Sequence, residues 1–299
     1  MSIGSPNIPF DVPLGKAIAY PKGYDASLLF PIARLDARLT LDLEMGLTAS
    51  APTTGEREFC LPFKGYDLWN AYELSWLNAK GLPKVALLRL KVPCTSPNII
   101  ESKSFKLYLN SFTQTRFETV HQVFDRLRQD LGRAIGAELD LELIGPDQFP
   151  NEKINEFSGV DLDKLDVEID CYEPNAALLK LRAVAGDASG PIVTEKVFSR
   201  LLKSNCPVTN QPDWACLQIQ YTGRAIEHAS LLKYIVSYRM HNGFHEHCVE
   251  KIFIDLMRQC APISLSVYAR YTRRGGLDIN PWRATPDREL PVIGRSARQ

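Results

Sequence analysis

The chain has 299 residues, 45% of them apolar, with 35 Lys and Arg balanced by 35 Asp and Glu. That length allows about two domains with ample core, and zero net charge lacks the field that draws a protein to phosphate backbones or anionic lipid, which argues against nucleic-acid or membrane binding as the main activity. Seven cysteines, odd in number and without a two-residue spacing, a start (Met1 to Pro9) without a basic or apolar leader, and no apolar run near the length of a membrane span together predict a soluble protein of a reducing compartment.

Residues 1–80 are rich in turn formers and aromatics and read as an irregular wrapping segment. From Leu82 onward, Ala86, Leu88, Leu90 and Val92 alternate with Leu87, Arg89 and Lys91, predicting a strand, and a turn-rich stretch follows from Pro93 to Asn98. Phe105, Tyr108, Leu109 and Phe112 predict a helix capped by Ser102 or Ser104. Phe117, Val120, Phe124, Leu127 and Leu131 predict a second helix, ending near Gly132. Leu139, Leu141 and Leu143, then Val167, Ile169 and Cys171, alternate with acidic residues as strands do. The expected unit is strand, helix, helix, strand, strand.

A similar order recurs after the short apolar stretch Val197 to Leu202. Leu217, Ile219 and Tyr221 mark a strand; Leu231, Tyr234, Ile235 and Tyr238 a helix; Val249, Ile252, Phe253 and Leu256 another; Ile263 to Tyr271 a strand. Adding 126 to the first helical stripe gives the second unit's stripe, and Ser104/Ser230, Tyr108/Tyr234 and Ser111/Ser237 keep their identity across that offset. The chain is therefore expected to be a tandem duplication, residues 1–173 and 174–299. The fold class is α+β, each unit laying two antiparallel helices on one face of an antiparallel sheet, with a binding site at the junction.

Cys206 lies in a polar, proline-bounded loop, a setting less suited to core filling than those of Cys171 or Cys248, which fall within regular elements. It is a candidate nucleophile, with Asp213 seven residues on as proton donor or acceptor; an ordinary half-buried thiol is the plain alternative. His241, His245, His247 and Cys248 cluster in sequence, but their spacing matches no zinc-ligand pattern, because His247 points away from Cys248 and Gly243 takes His241 out of frame. Glu246, at a helix start, is expected to stay ionised and to accept two hydrogen bonds from an amidine-like edge, or else to be a capping glutamate. The run Ile100, Glu101, Ser102, Lys103, Ser104, Phe105, Lys106 opens a helix whose free amides, with Lys103, would bind phosphate, or is only a well-capped helix. Arg270, Arg273 and Arg274 before Gly275 and Gly276 suit a phosphorylated ligand or a basic turn. Neither a dinucleotide-binding glycine motif nor a P-loop occurs.

The string ESKSFKLYLNSF from Glu101 to Phe112 resembles the signature of the NADPH-dependent 7-cyano-7-deazaguanine reductases, the nitrile reductases of queuosine biosynthesis. Cys206, Asp213 and the His245-Glu246 pair fit the same family, and the length and tandem halves look like its long, bimodular form. The resemblance implies tunnelling-fold units, chains associating through their sheets as a homodimer, a cytoplasmic location, no direct nucleic-acid or membrane contact, and reduction of a nitrile to a primary amine by two NADPH, with no metal. By the same resemblance, Cys206 adds to the nitrile carbon as a covalent thioimidate. Asp213 donates the proton, for which burial near Trp214 would have to raise its pKa. His245 relays or orients a proton. Glu101 and Glu246 read the deazaguanine edge, lined by Ile100, Ser102 and His245, and Ser102, Lys103, Arg274 and Gly275 contact NADPH. The second unit reads Glu227-His-Ala-Ser230 and lacks the lysine, so one active site per chain is expected. Competing readings are a zinc cyclohydrolase using His241, His247 and a cysteine, a hydrolase or amidinotransferase using Cys206 with His245 and Asp213, and a purine-binding module without catalysis.

Overall fold

A computed structural model describes residues 20–41, 61–183, 190–289 and 291–299. Cys60 and much of the expected irregular segment lie outside them. What remains of that segment is ordered around a strand pair and a central strand: β1 (Pro31–Ala33), helix α1 (Arg34–Leu39) and the long β2 (Lys64–Leu77). The missed strand has a physical reason. Residues 66–71 of β2 are buried on both faces, and a bulge between Ala71 and Leu74 shifts its alternation, so the period of two that marks a half-exposed strand is absent.

Then follow β3 (Pro83–Pro93), β4 (Asn98–Ile100), α2 (Ser102–Asn110), α3 (Val120–Ile135), β5 (Asp140–Ile144) and a two-residue β6 (Val160–Asp161). The second unit has β7 (Ile192–Asn205), β8 (Pro212–Arg224), α4 (His228–Ser237), α5 (His245–Cys260), β9 (Ser264–Tyr271) and β10 (Leu277–Ala284). The second unit thus reads strand, strand, helix, helix, strand, strand, and β2, β3, α2, α3 and β5 of the first follow the same order. The expected strand at Val167 to Cys171 is an extended segment outside any sheet, with Val167 resting on the core; its alternation reflects lying on a surface. Cys171 accordingly is not in a regular element.

Two helix details also differ from expectation. Helix α2 is capped by the Glu101 carboxylate, which accepts from the amides of Lys103 and Ser104, both at 2.7 Å; Ser104 Oγ instead donates to the Glu101 carbonyl. Helix α3 passes through Gly132 and stops at Gly136, whose φ of 75° supplies the left-handed cap. Its buried stripe is Val123, Leu127, Leu131 and Ile135, while Val120 is exposed.

Eight strands form one sheet in the order β5-β3-β2-β10-β9-β8-β7-β6, antiparallel except for β6 against β7. Helices α2 and α3 pack on β2 and β3, and α4 and α5 on β7 to β9. The opposite face buries Tyr66, Leu68, Tyr268 and Trp282. The duplication is visible in fine geometry. The bulge of β2 recurs in β7 between Ser199 and Leu202, and the buried Tyr108–Asp130 hydrogen bond recurs as Tyr234–Asp255. Because β10 pairs with β2 along its whole length, the start of α2 is brought against the second unit's loops. Among the described residues no helix is long and apolar enough to cross a membrane.

The N-terminal piece is tied down by charge. Arg34 lies 2.5 Å from Asp67, Arg283 2.8 Å from both Asp67 and Glu250, and Arg38 2.7 Å from Glu250, all buried. Charges removed from water are tolerated only when paired in this way. The network joins α1, β2, β10 and α5, one turn after Glu246.

Candidate active site

The hairpin turn between β7 and β8 holds Cys206. Its amide donates to the Gln211 carbonyl and its carbonyl accepts from Asn210, which takes the left-handed φ of 56°. The neighbouring Asn205 amide donates to the His241 carbonyl, fixing the turn against the start of α5. Cys206 is 6% exposed. Asp213, at the beginning of β8, is also buried. Its Oδ1 lies 2.5 Å from Arg274 Nη1 and its Oδ2 3.4 Å from His245 Nε2. The His245 ring stacks on Tyr271 at 3.7 Å, nearly parallel, which fixes its orientation.

Cys206, Asp213, His245, Glu246 and Arg274 line one cleft of about 660 Å3, together with Ile99, Ile100, Ser102 and Lys106 from the first unit and Phe244, Thr272, Leu277 and Ile279. Both units contribute. The apolar walls suit a flat ring and the polar groups converge from the hairpin and two helix starts. A second cavity of about 490 Å3 shares Ile99, Phe244 and Glu246 with the cleft and is roofed by Ile32, Ala33, Arg34 and Ala37. The N-terminal piece, functionally unread in the sequence, thus walls the site.

Glu246 is the second residue of α5, as expected, yet the helix amides do not keep it strongly acidic. Burial, with the nearby Asp67 charge, raises its carboxyl to about 7, and its Oε1 has no hydrogen-bond partner among the described residues. A buried carboxylate oxygen without a partner is costly and points to a ligand that donates to it. Asp213 departs from expectation in the other direction. Burial pushes its carboxyl up, but the contacts with His245 and Arg274 outweigh this, and the net shift is downward; held so, it is an ionised base.

Glu101 is buried and outside the lining of the cleft, both carboxylate oxygens accepting from the α2 amides. Those amides are therefore not free for phosphate, as the sequence suggests they would be. Cationic side chains take that place. Lys106, named in the helix-opening run but given no role beside Lys103, lines the cleft one turn after Ser102; the i, i+4 spacing was the available signal. Burial and the nearby Arg274 charge lower its pKa. Arg274 is aimed inward by the two-residue turn Gly275-Gly276, with φ of 58° and 69°, conformations suited to glycine. Lys103, although on α2, does not line the cleft.

His241 and His247 lie with ring centres 6.2 Å apart. Among the described residues no three His, Cys, Asp or Glu side chains are placed to share a metal ion, so the cyclohydrolase alternative lacks its ligand set there. The six described cysteines are all unbridged.

Comparison with known proteins converges on one group. The family model described as the N-terminal part of nitrile reductase, 7-cyano-7-deazaguanine reductase, matches residues 20–143, and a model described as QueF-like protein matches residues 212–289. Proteins named NADPH-dependent 7-cyano-7-deazaguanine reductase are similar along nearly the whole chain. That of Bordetella avium is 55% identical over 97% of this chain and 98% of its own; that of Bordetella bronchiseptica is 54% identical over the same shares; that of Paraburkholderia xenovorans is 53% identical over 97% and 99%. With both family models matched in order and relatives of this identity aligned from end to end, the chain belongs to the NADPH-dependent 7-cyano-7-deazaguanine reductase family.

Proposed function

We propose that this chain reduces the nitrile of 7-cyano-7-deazaguanine to the aminomethyl group, with NADPH as reductant, in queuosine biosynthesis. Family membership supports the reaction. The observation that supports the chemistry is the convergence of Cys206, Asp213, His245 and the partnerless Glu246 oxygen on one apolar-walled cleft.

A nitrile carbon is a weak electrophile, and addition of a thiol splits one hard reduction into easier steps. Asp213, ionised in this geometry, takes the Cys206 proton; the sulfur bonds to the nitrile carbon; Asp213 then returns the proton to the nitrile nitrogen, leaving a thioimidate on Cys206. NADPH supplies the hydride equivalents when bound. The residues suit it, since Lys106 and Arg274 offer cations to its phosphates and a further space of about 550 Å3, lined by Lys106, Gly275 and Gly276, adjoins the cleft. Ser102 sits on the same wall, and Lys103 is assigned to the cofactor's outer reach. His245, held by Tyr271 and Asp213, orients the proton path. Ile100 and Phe244 flank the ring, and Glu246 accepts from its donor edge. For Glu101 we propose a supporting role: it caps and fixes the start of α2, so that the adjoining Ile100 and Ser102 line the cleft.

The halves 1–173 and 174–299 form one site between them, consistent with a cleft lined from both. Exact charge balance supports action on the free base without direct contact to nucleic acid, and an odd number of cysteines without a paired spacing supports a cytoplasmic setting. We assign a homodimer joined through the sheets, β5 being paired on one side only among the described residues. The direct test mixes the protein with 7-cyano-7-deazaguanine alone, reads a covalent adduct by intact mass and near-ultraviolet absorbance, then adds NADPH. An adduct that persists in Cys206→Ser, or NADPH that is never consumed, would refute the mechanism.

A further inference from the structure

On the reading above, Asp213 must act in two opposite ways. It has to be ionised to take the thiol proton, and protonated to supply the nitrogen when the thioimidate is reduced. One fixed environment favours one of these roles.

The groups facing Asp213 are His245 and Cys248 from α5, Tyr271 from β9, Lys106 from α2, Lys203 from β7, and Arg274 from the turn between β9 and β10. Most are held in place. His245 is stacked on Tyr271, and Lys203 donates to Asn205 and to the Arg239 carbonyl. Arg274 differs. It reaches across the cleft from the two-glycine turn, its side chain 31% exposed, and its guanidinium grips both Asp213 and the Gln211 side chain on the opposite hairpin. The same guanidinium stands beside Lys106 at the entrance to the space assigned to the cofactor. Its two terminal nitrogens are both engaged, Nη1 on Asp213 and Nη2 on Gln211, so turning that edge of the guanidinium onto a phosphate means giving up those contacts.

We propose that Arg274 couples cofactor binding to the state of Asp213: it clamps the carboxylate when the cofactor is absent and leaves it for the cofactor's phosphate when the cofactor is bound. The order of chemistry follows. With the clamp closed, Asp213 is the base for thioimidate formation, which needs no net proton: one leaves sulfur and one reaches nitrogen. With the clamp open, the carboxylate has lost one of the two partners that lower its pKa, and its burial then favours taking up a proton from solvent. Asp213 then delivers that proton to the thioimidate nitrogen as the carbon is reduced, the cofactor being oxidised by the hydride it gives. Arg274 is thus a positioning residue that acts through Asp213.

The test follows adduct formation and needs no turnover. The rate of covalent adduct formation at saturating 7-cyano-7-deazaguanine is measured from about pH 3 to 9, low enough to reach a carboxyl held below the ordinary aspartate value, with and without saturating NADP+, in the wild type and in Arg274→Met. NADP+ is expected to move the acid limb of the wild-type profile upward by about one pH unit, the size expected for loss of a close cation. Arg274→Met is expected to show that shifted limb without NADP+, and Arg274→Lys to restore part of it. Thermal unfolding of each variant checks the fold. An Arg274→Met limb identical to wild type, or a wild-type limb that saturating NADP+ leaves unmoved, overturns the coupling. Absence of any adduct in the wild type overturns instead the reading of Cys206 on which it rests.

Discussion

In the second unit the turn from β7 to β8 carries Cys206, and Asp213 stands opposite Ser204; in the first, the turn from β2 to β3 reads Asn78-Ala-Lys-Gly-Leu82, and Lys84 stands opposite Trp76. The helix starts contrast in the same way. His245 and Glu246 open α5 inside the cleft, whereas Val120 and His121, the first two residues of α3, are exposed. The loss runs the other way at the preceding helices. Lys103 and Lys106 of α2 correspond, at the offset of 126, to Ala229 and Leu232 of α4, and Glu101 caps its helix through its side chain where Glu227 does not. Each unit has kept the half that faces the other. A cleft at a junction needs one nucleophile end and one cationic end; of the mirrored copies, Lys84, Val120 and His121 are exposed and Leu232 is packed into the core, and none is under that demand.

This asymmetry is open to direct attack. Cys206→Ser should abolish the adduct and lower turnover by on the order of 10^4 or more, as loss of a nucleophile does elsewhere, with intact mass after incubation with substrate as the readout. Asp213→Asn keeps the shape but cannot shuttle the proton; single-turnover rates should fall by roughly 10^2 to 10^4, and a smaller fall would mean that His245 alone moves the proton. Glu250→Gln breaks the buried ion network that seats α1 and α5, and should cost about 3–5 kcal/mol in denaturant unfolding. Arg283 and Arg38 hold the Glu250 carboxyl down at about 2, so its stabilisation is present above the ordinary glutamate range and lost as pH falls toward 2; Glu250→Gln should flatten that part of the stability curve.

Glu246→Gln is the milder case and should weaken substrate binding by ~1.5–3 kcal/mol, one charge-assisted hydrogen bond. Because its carboxyl sits near 7 and the ionised form accepts the ligand's hydrogens, affinity by calorimetry should fall as pH drops below about 7 in the wild type and stay flat in the variant. The same raised value makes this group's contribution to folding stability decline as pH rises from the ordinary glutamate value to about 7. At the small end, Lys84→Gln and His121→Ala, at the first unit's counterparts of Asp213 and Glu246, should leave turnover within about twofold, as surface changes remote from a site do. A large effect from either would show a second functional cleft.

Particular residues show how far the sequence could be read. The stripes of α2, α4 and α5 were legible from the three- and four-residue spacing of their apolar side chains, even though α5 is buried round most of its surface. Strands β9 and β10 are buried at every position; β9 still declared itself through alternating size and polarity, while β10, with Asp278, Asn280, Pro281 and Arg283 inside it, did not. Cys206, Asp213, His245 and Glu246 stood out by chemical type and by likeness to a family motif, and the structure gathers all four. Lys106 and Phe244 did not stand out, since a lysine on a helix and an aromatic before one are ordinary until a cleft is seen beside them. Arg34 and Arg38 were hidden in a segment with no period at all.

The sequence by itself determined the duplication, the α+β class, the chemical types in the site and, through its motif, the family. Those depend on local periodicity and on residue identity, which survive in one dimension. Tertiary structure alone decided that Glu101 turns into its own helix, that Asp213 is ionised between His245 and Arg274, and that Glu246 is held near neutrality. Protonation follows from burial and from charges brought close in space: Arg274 is 61 residues from Asp213 along the chain, yet a 2.5 Å contact with it sets what that carboxylate can do.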